Sequence, residues 1–232
     1  MILPLGGFFM RGQDMPRLKA YIMPFVVTIV LGLAFFLLAG TLKFWEAWIY
    51  LTYFFAITLF MVIYFAKKNP ELLTSRSEFK DKSKAREIPP FLNLFLLVYV
   101  VPGLDFRFGW SAVSVWMIIG ANIIVCLAYI LILIVFNENS YASAVVKLEN
   151  EQNVISTGPY AIIRHPMYAG MMLMTLLTPL ALGSYWAYIP CIFFLPWLYL
   201  RTKNEEVLLL EGLEGYRDYS KKVKYRIIPF VW

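Results

Sequence analysis

The chain has 232 residues, of which 60% are hydrophobic, 18% aromatic and only 16% charged, a balance well outside that of a soluble domain. Its net charge of +6 does not point to nucleic acid, because the basic residues flank apolar runs instead of gathering in a separate polar domain. Two cysteines, Cys126 and Cys191, both inside apolar runs, and a single histidine exclude a usual structural zinc site, so neither a metal nor a disulfide is expected.

In chain order, residues 1–10 are too short, and lack a small-residue cleavage site, for a signal peptide, and are expected to stay attached. Apolar runs follow at 20–40, 45–66, 91–104, 110–136, 167–182 and 185–200. The first, second and fourth are long enough to span a bilayer as helices, and the other three are short for a span. The fold class predicted is all-α: a polytopic membrane bundle of about five or six helices, with a broken helical hairpin near the C-terminus and a C-terminal cytoplasmic helix. Residues 1–136 read as a scaffold of membrane helices and residues 137–232 as a cofactor-binding region.

With six spans, the loops on one side hold only Lys43 and Arg107, and every other one of the 21 basic residues falls on the opposite side. The positive-inside rule then places both termini, and the polar motifs, on the cytoplasmic face. Pro70 and the Pro89-Pro90 pair bound a charged loop. Pro179, Pro190 and Pro196 fall in the last two apolar runs, and interrupted helices at membrane depth imply a cavity between them. Beyond Arg201 the chain mixes charge with Val207, Leu208, Leu209 and Leu210, which suits a helix leaving the membrane, ended by Gly212 or Gly215, with a tail capping that cavity.

Two clusters carry the candidate chemistry. The first, Gly158-Pro159-Tyr160-Ala161-Ile162-Ile163-Arg164-His165-Pro166-Met167-Tyr168, stands at a helix entrance, where Pro166 suits the first turn and free N–H groups suit an anion. In the second, Arg201-Thr202-Lys203-Asn204-Glu205-Glu206, the i, i+4 pair Arg201 and Glu205 shares a helix face and Glu206 points elsewhere. Taken alone, such residues are also consistent with interfacial anchoring and a weak surface ion pair. No G-x-G occurs anywhere, so neither a Rossmann turn nor a Walker loop is available.

The texts V-I-S-T-G-P-Y-A-I-I-R-H-P-M-Y-A-G (154–170), R-T-K-N-E-E (201–206) and G-Y-R-D-Y-S-K-K-V-K-Y-R-I-I-P (215–229) resemble the isoprenylcysteine carboxyl methyltransferase family, relatives of the phospholipid N-methyltransferases. The resemblance implies S-adenosylmethionine-dependent methyl transfer inside a helical membrane enzyme. By position it implies cofactor contacts from Gln152, Asn153, Val154, Ile155, Tyr160, His165 and Glu205, with Arg164 and Tyr168 in support. It makes Arg201 and Glu205 the catalytic pair, with Arg201 facing the substrate. The chain departs from the family at Glu211-Gly212-Leu213-Glu214-Gly215-Tyr216, where a phenylalanine-glycine pair is usual, and the acceptor stays open.

The partner expected is the membrane together with a lipophilic acceptor reached from it: an isoprenylcysteine-like carboxylate, a lipid amine or a hydrophobic thiol. Two readings compete: a sterol-type reductase using a nicotinamide cofactor, and a noncatalytic scaffold or small transporter.

Overall fold

The computed structural model describes residues 14–68, 88–139 and 153–232. Most of the charged loop after Lys68, and the 140–152 stretch including Gln152, lie outside the described residues. Within them the chain is all helical: α1 (Asp14–Ala39), α2 (Trp45–Lys68), α3 (Ile88–Phe108), α4 (Val115–Glu138), a 3-10 turn (Gly158–Ala161), α5 (Pro166–Ala181), α6 (Tyr188–Gly212) and α7 (Tyr216–Lys222).

Lys19–Ala39, Trp45–Lys68 and Val115–Glu138 are long and apolar enough to cross a membrane, and α5 is a shorter apolar helix. The surface agrees with a lipid solvent. Ile29, Leu33 and Leu37 on α1 and Ile123 and Leu127 on α4 point outward, although nothing polar masks them. Two of the short apolar runs feed longer helices: 91–104 lies within the 21-residue α3, and 185–200 enters the 25-residue α6 at Tyr188. The prolines expected to interrupt the last two helices are accommodated inside them. Pro190 occupies the first turn of α6, Pro196 lies in its interior and Pro179 sits in the last turns of α5. The hairpin is broken between helices, at 182–187.

Inside, a core of Phe35, Tyr50, Tyr99, Val125, Tyr129 and Leu182 ties α1 to α5. Hydroxyls in such a place need partners, because lipid offers none. Tyr50 meets the hydroxyls of Tyr99 at 2.9 Å and of Tyr129 and Thr178 at 3.4 Å, linking α2, α3, α4 and α5.

Three tight turns, at 40–44, 109–114 and 182–187, gather at one end of the bundle. Each carries a glycine at positive φ at or next to its start, Gly40, Gly109 or Gly183, the conformation that ends a helix at low steric cost. Asp105, fully buried, joins the second and third turns. It accepts hydrogen bonds from the Ser111 amide at 2.7 Å, the Ser111 hydroxyl at 2.6 Å and the Ser184 hydroxyl. Asn122 Nδ2 of α4 donates to Ala181 O at the end of α5. This end carries Lys43 and Arg107, and the two polar motifs lie at the other end.

Close helix approach rests on small residues. A Cβ on Gly103 of α3 would stand 2.8 Å from Leu38 Cβ and 3.0 Å from the Phe35 carbonyl of α1. Gly103→Ala is therefore expected to cost about 1–3 kcal/mol by overpacking, more than alanine returns in helix propensity. Thermal unfolding in detergent checks this: the variant melts lower, and Gly120→Ala, with nothing within 4 Å of its added Cβ, does not.

Candidate functional site

The polar end is assembled by the segment that leads into α5. Thr157 donates to Glu138 Oε2 at 2.7 Å, and Gly158, at φ 56, passes so close to Glu138 that a Cβ would stand 3.0 Å from its Cγ. The 3-10 turn then buries Tyr160. Its hydroxyl accepts from Asn139 Nδ2 at 2.9 Å, and its carbonyl accepts from the Tyr219 hydroxyl at 2.7 Å. Burial pushes the Tyr160 phenol up to about 12, so it stays protonated at neutral pH.

Beyond the turn, residues 164 and 165 are tied to the tail by two backbone hydrogen bonds. The Arg164 amide donates to Tyr225 O at 2.9 Å and the His165 amide to Arg226 O at 2.8 Å. Pro166 then opens α5, where its missing N–H costs nothing.

Glu206 is the centre of the arrangement. It is buried on α6, accepts from Arg164 Nε at 2.6 Å on one oxygen and from Arg226 Nε on the other. Burial alone pushes its carboxyl up, but His165, Arg164 and Arg226 outweigh that and bring it down to about 2. Arg164 NH1 reaches past Glu206 to the carbonyls of Val223 at 2.8 Å and Lys224 at 3.0 Å, a cation at the C-terminal end of α7. One carboxylate and two guanidiniums thus lock the approach to α5, the C-terminal part of α6 and the tail together.

A second layer lies beside this lock. Tyr168, one turn into α5, donates to Glu205 Oε2 and accepts from Arg201 Nε at 3.1 Å, so a phenol stands between the two residues expected to act as a pair. The Arg201 guanidinium also lies over the Trp197 ring, 5.6 Å from its centroid. His165 stacks on Tyr168 with centroids 5.5 Å apart and holds Nδ1 3.9 Å from Glu205 Oε2. Its Nε2 is 3.4 Å from Glu206 Oε1 without hydrogen-bonding geometry, and is buried with no hydrogen-bond partner among the described residues.

The structure therefore brings Tyr160, Arg164, His165, Tyr168, Arg201 and Glu205 to one end of the bundle. Val154 uses its side chain to pack against the cluster of Tyr216, Tyr219 and Val223, Asn153 is exposed, and Ile155 is half-buried. Sequence reading passed over Glu206 and Arg226. Helical spacing rightly separated Glu206 from the Arg201–Glu205 face, but could not say what it would meet. The available signal was two motif arginines, Arg164 and Arg226, with no acid assigned to either.

Since the folded-state carboxyl of Glu206 is lowered, its stabilisation is present above the ordinary carboxylate range and is lost as pH falls from 4.5 towards about 2. In thermal melts at stepped pH, Glu206→Gln is expected to be less stable than the parent at pH 7 by about 3 kcal/mol. The gap closes through that acid window. A gap unchanged between pH 7 and pH 2 contradicts the ionised lock.

Residues 116–211, from the start of α4 to the last turn of α6, match the sequence model of the isoprenylcysteine carboxyl methyltransferase (ICMT) family. No curated protein matches the chain. The matched stretch contains α4, the Tyr160 turn, α5 and the Arg201–Glu206 segment, which are the elements that build this end of the bundle. Over residues 116–211 the chain is similar to the ICMT family, a family of membrane methyltransferases, and three of its helices are long and apolar enough to cross a membrane.

Proposed function

We propose that this chain is an S-adenosylmethionine-dependent methyltransferase acting on a lipophilic acceptor drawn from the bilayer. The observation that carries the reading is the convergence of His165 and Tyr168 of the α5 entrance with Arg201 and Glu205 of α6, within the family-matched stretch.

The donor set fits the cofactor's chemistry. Glu205, with its side chain one-quarter exposed, offers an acidic partner for an ammonium group, and His165 Nε2, buried 3.4 Å from Glu206 Oε1, makes no hydrogen bond among the described residues. Arg164 is spent on Glu206 and on the tail carbonyls, so it holds the wall and leaves direct contact to its neighbours. By the family resemblance, Asn153, Ile155 and Tyr160 take cofactor contacts within a cofactor-binding region at 137–232, and Gln152, assigned the same role, lies outside the described residues. When bound, S-adenosylmethionine supplies a methyl group on a sulfonium.

Displacement at that methyl needs alignment and exclusion of water, with no nucleophile from the protein. Arg201, steadied by Tyr168 and Trp197, is the group suited to orient a carboxylate or polar head of the acceptor. An isoprenylcysteine-like carboxylate arrives ionised, whereas an amine or thiol must surrender a proton, for which His165 is placed. The site end is the cytoplasmic one, because the opposite end has only Lys43 and Arg107.

Equilibrium binding to detergent-purified protein tests the reading. S-adenosylmethionine and its demethylated product are expected to bind saturably, with Glu205→Gln and His165→Ala each weakening binding about tenfold, or about 1.4 kcal/mol. Arg201→Ala is expected to retain cofactor binding. Folded protein that binds neither sulfur compound overturns the proposal, and binding of a nicotinamide cofactor in their place turns it towards a reductase.

A further inference from the structure

The tail ends in a turn whose outward face has no role in the site. After Ile227, which packs with Ile163, Tyr168, Phe194 and Leu198, the chain closes on itself. The amides of Arg226, Ile227 and Ile228 all donate to the backbone oxygen of Trp232, at 2.9, 3.0 and 3.0 Å, and the Trp232 amide donates back to Ile228 O at 3.1 Å. Closing this ring holds Phe230 at φ 65, the one positive φ outside glycine among the described residues. That is a strained place for a bulky side chain. The result is that Phe230 is 87% exposed, more than any other large apolar side chain described, and Val231 is 75% exposed.

The position of this turn says what it meets. The Trp232 ring stacks on Tyr199 of α6 with centroids 5.1 Å apart. Ile192, Leu195 and Tyr199 lie along one side of α6 and are all exposed, an apolar stripe that runs up to Tyr199 and Leu200 and stops at Arg201 and Lys203. Lys203 Nζ lies 5.5 Å over the Tyr199 ring and the Arg226 guanidinium 5.4 Å over the Trp232 ring. Aromatic rings with cations at the upper border of an apolar helix face are the mark of a bilayer interface. The exposed Lys222 and Lys224 precede the turn and match the charge of anionic headgroups.

We infer that Phe230 and Val231 insert into the interfacial layer of the bilayer, so that the segment locked to Glu206 through Arg226 is anchored in lipid at its far side. The inference stands on the turn's geometry and holds whether or not the site binds a cofactor. The strain that closes this ring then has a second use: it turns two apolar side chains away from the protein and into lipid.

Nitroxide accessibility of the full chain in mixed phosphatidylcholine and phosphatidylglycerol vesicles tests it, with labels at Val231→Cys and, for comparison, at Asp218→Cys on the exposed face of α7. The chain without an introduced cysteine serves as the labelling blank for Cys126 and Cys191. At 231 collisions with dissolved oxygen are expected to exceed those with a water-soluble nickel chelate several-fold, and at 218 the order reverses. Adding Phe230→Asn, a residue that accepts positive φ and so preserves the turn, is expected to shift the 231 label towards the aqueous pattern. A 231 label as open to the chelate as the 218 label overturns the inference. So does one shielded from both colliders, which would indicate a protein partner or a second copy.

Discussion

The buried bond between Glu206 and its two arginines is the constraint on which the polar end of this protein depends. A carboxylate out of water is costly unless its oxygens are satisfied, and here each oxygen takes a guanidinium from a different part of the chain. Arg164 comes from the approach to α5, Arg226 from the tail, and Glu206 itself from α6. The same Arg164 closes the end of α7 through the carbonyls of Val223 and Lys224. With these segments fixed, His165, Tyr168, Arg201 and Glu205 have little freedom in where they stand, so Glu206 acts on the site by positioning its neighbours.

The opposite end obeys the same rule with a different acid. Asp105 is buried between the second and third turns and is satisfied by two hydroxyls and one amide. Between the two ends the hydroxyls of Tyr99, Tyr129 and Thr178 all meet that of Tyr50. A helical bundle in lipid gains little from the hydrophobic effect between its own helices, so close packing at Gly103 and Gly170 and these few polar ties set which helices are neighbours.

Much of this was legible from residues alone. The apolar runs located the membrane helices, Pro166 marked the start of α5, and the motif texts named a family that the 116–211 match supports. Other features depend on partners distant in sequence. The mix of charge and leucines beyond Arg201, closed by Gly212, marked a helix leaving the membrane, and α6 does run to Gly212; that Thr202 and Glu206 are buried against neighbouring segments was not legible. Prolines suggested broken helices, yet Pro190 lies where a helix lacks that amide bond in any case, and Pro179 lies within a turn of its end. Spacing put Arg201 and Glu205 on one face, and only the fold places Tyr168 between them.

The central claim, that this end of the bundle transfers a methyl group to a lipophilic acceptor, is tested most directly by following the methyl group itself. Protein reconstituted in vesicles made from total membrane lipid extract would be supplied with methyl-labelled S-adenosylmethionine, and the organic phase then counted. The account predicts label in the organic phase with the parent chain and none with Arg201→Ala. Label that stays wholly in water, from protein that binds the cofactor, contradicts it.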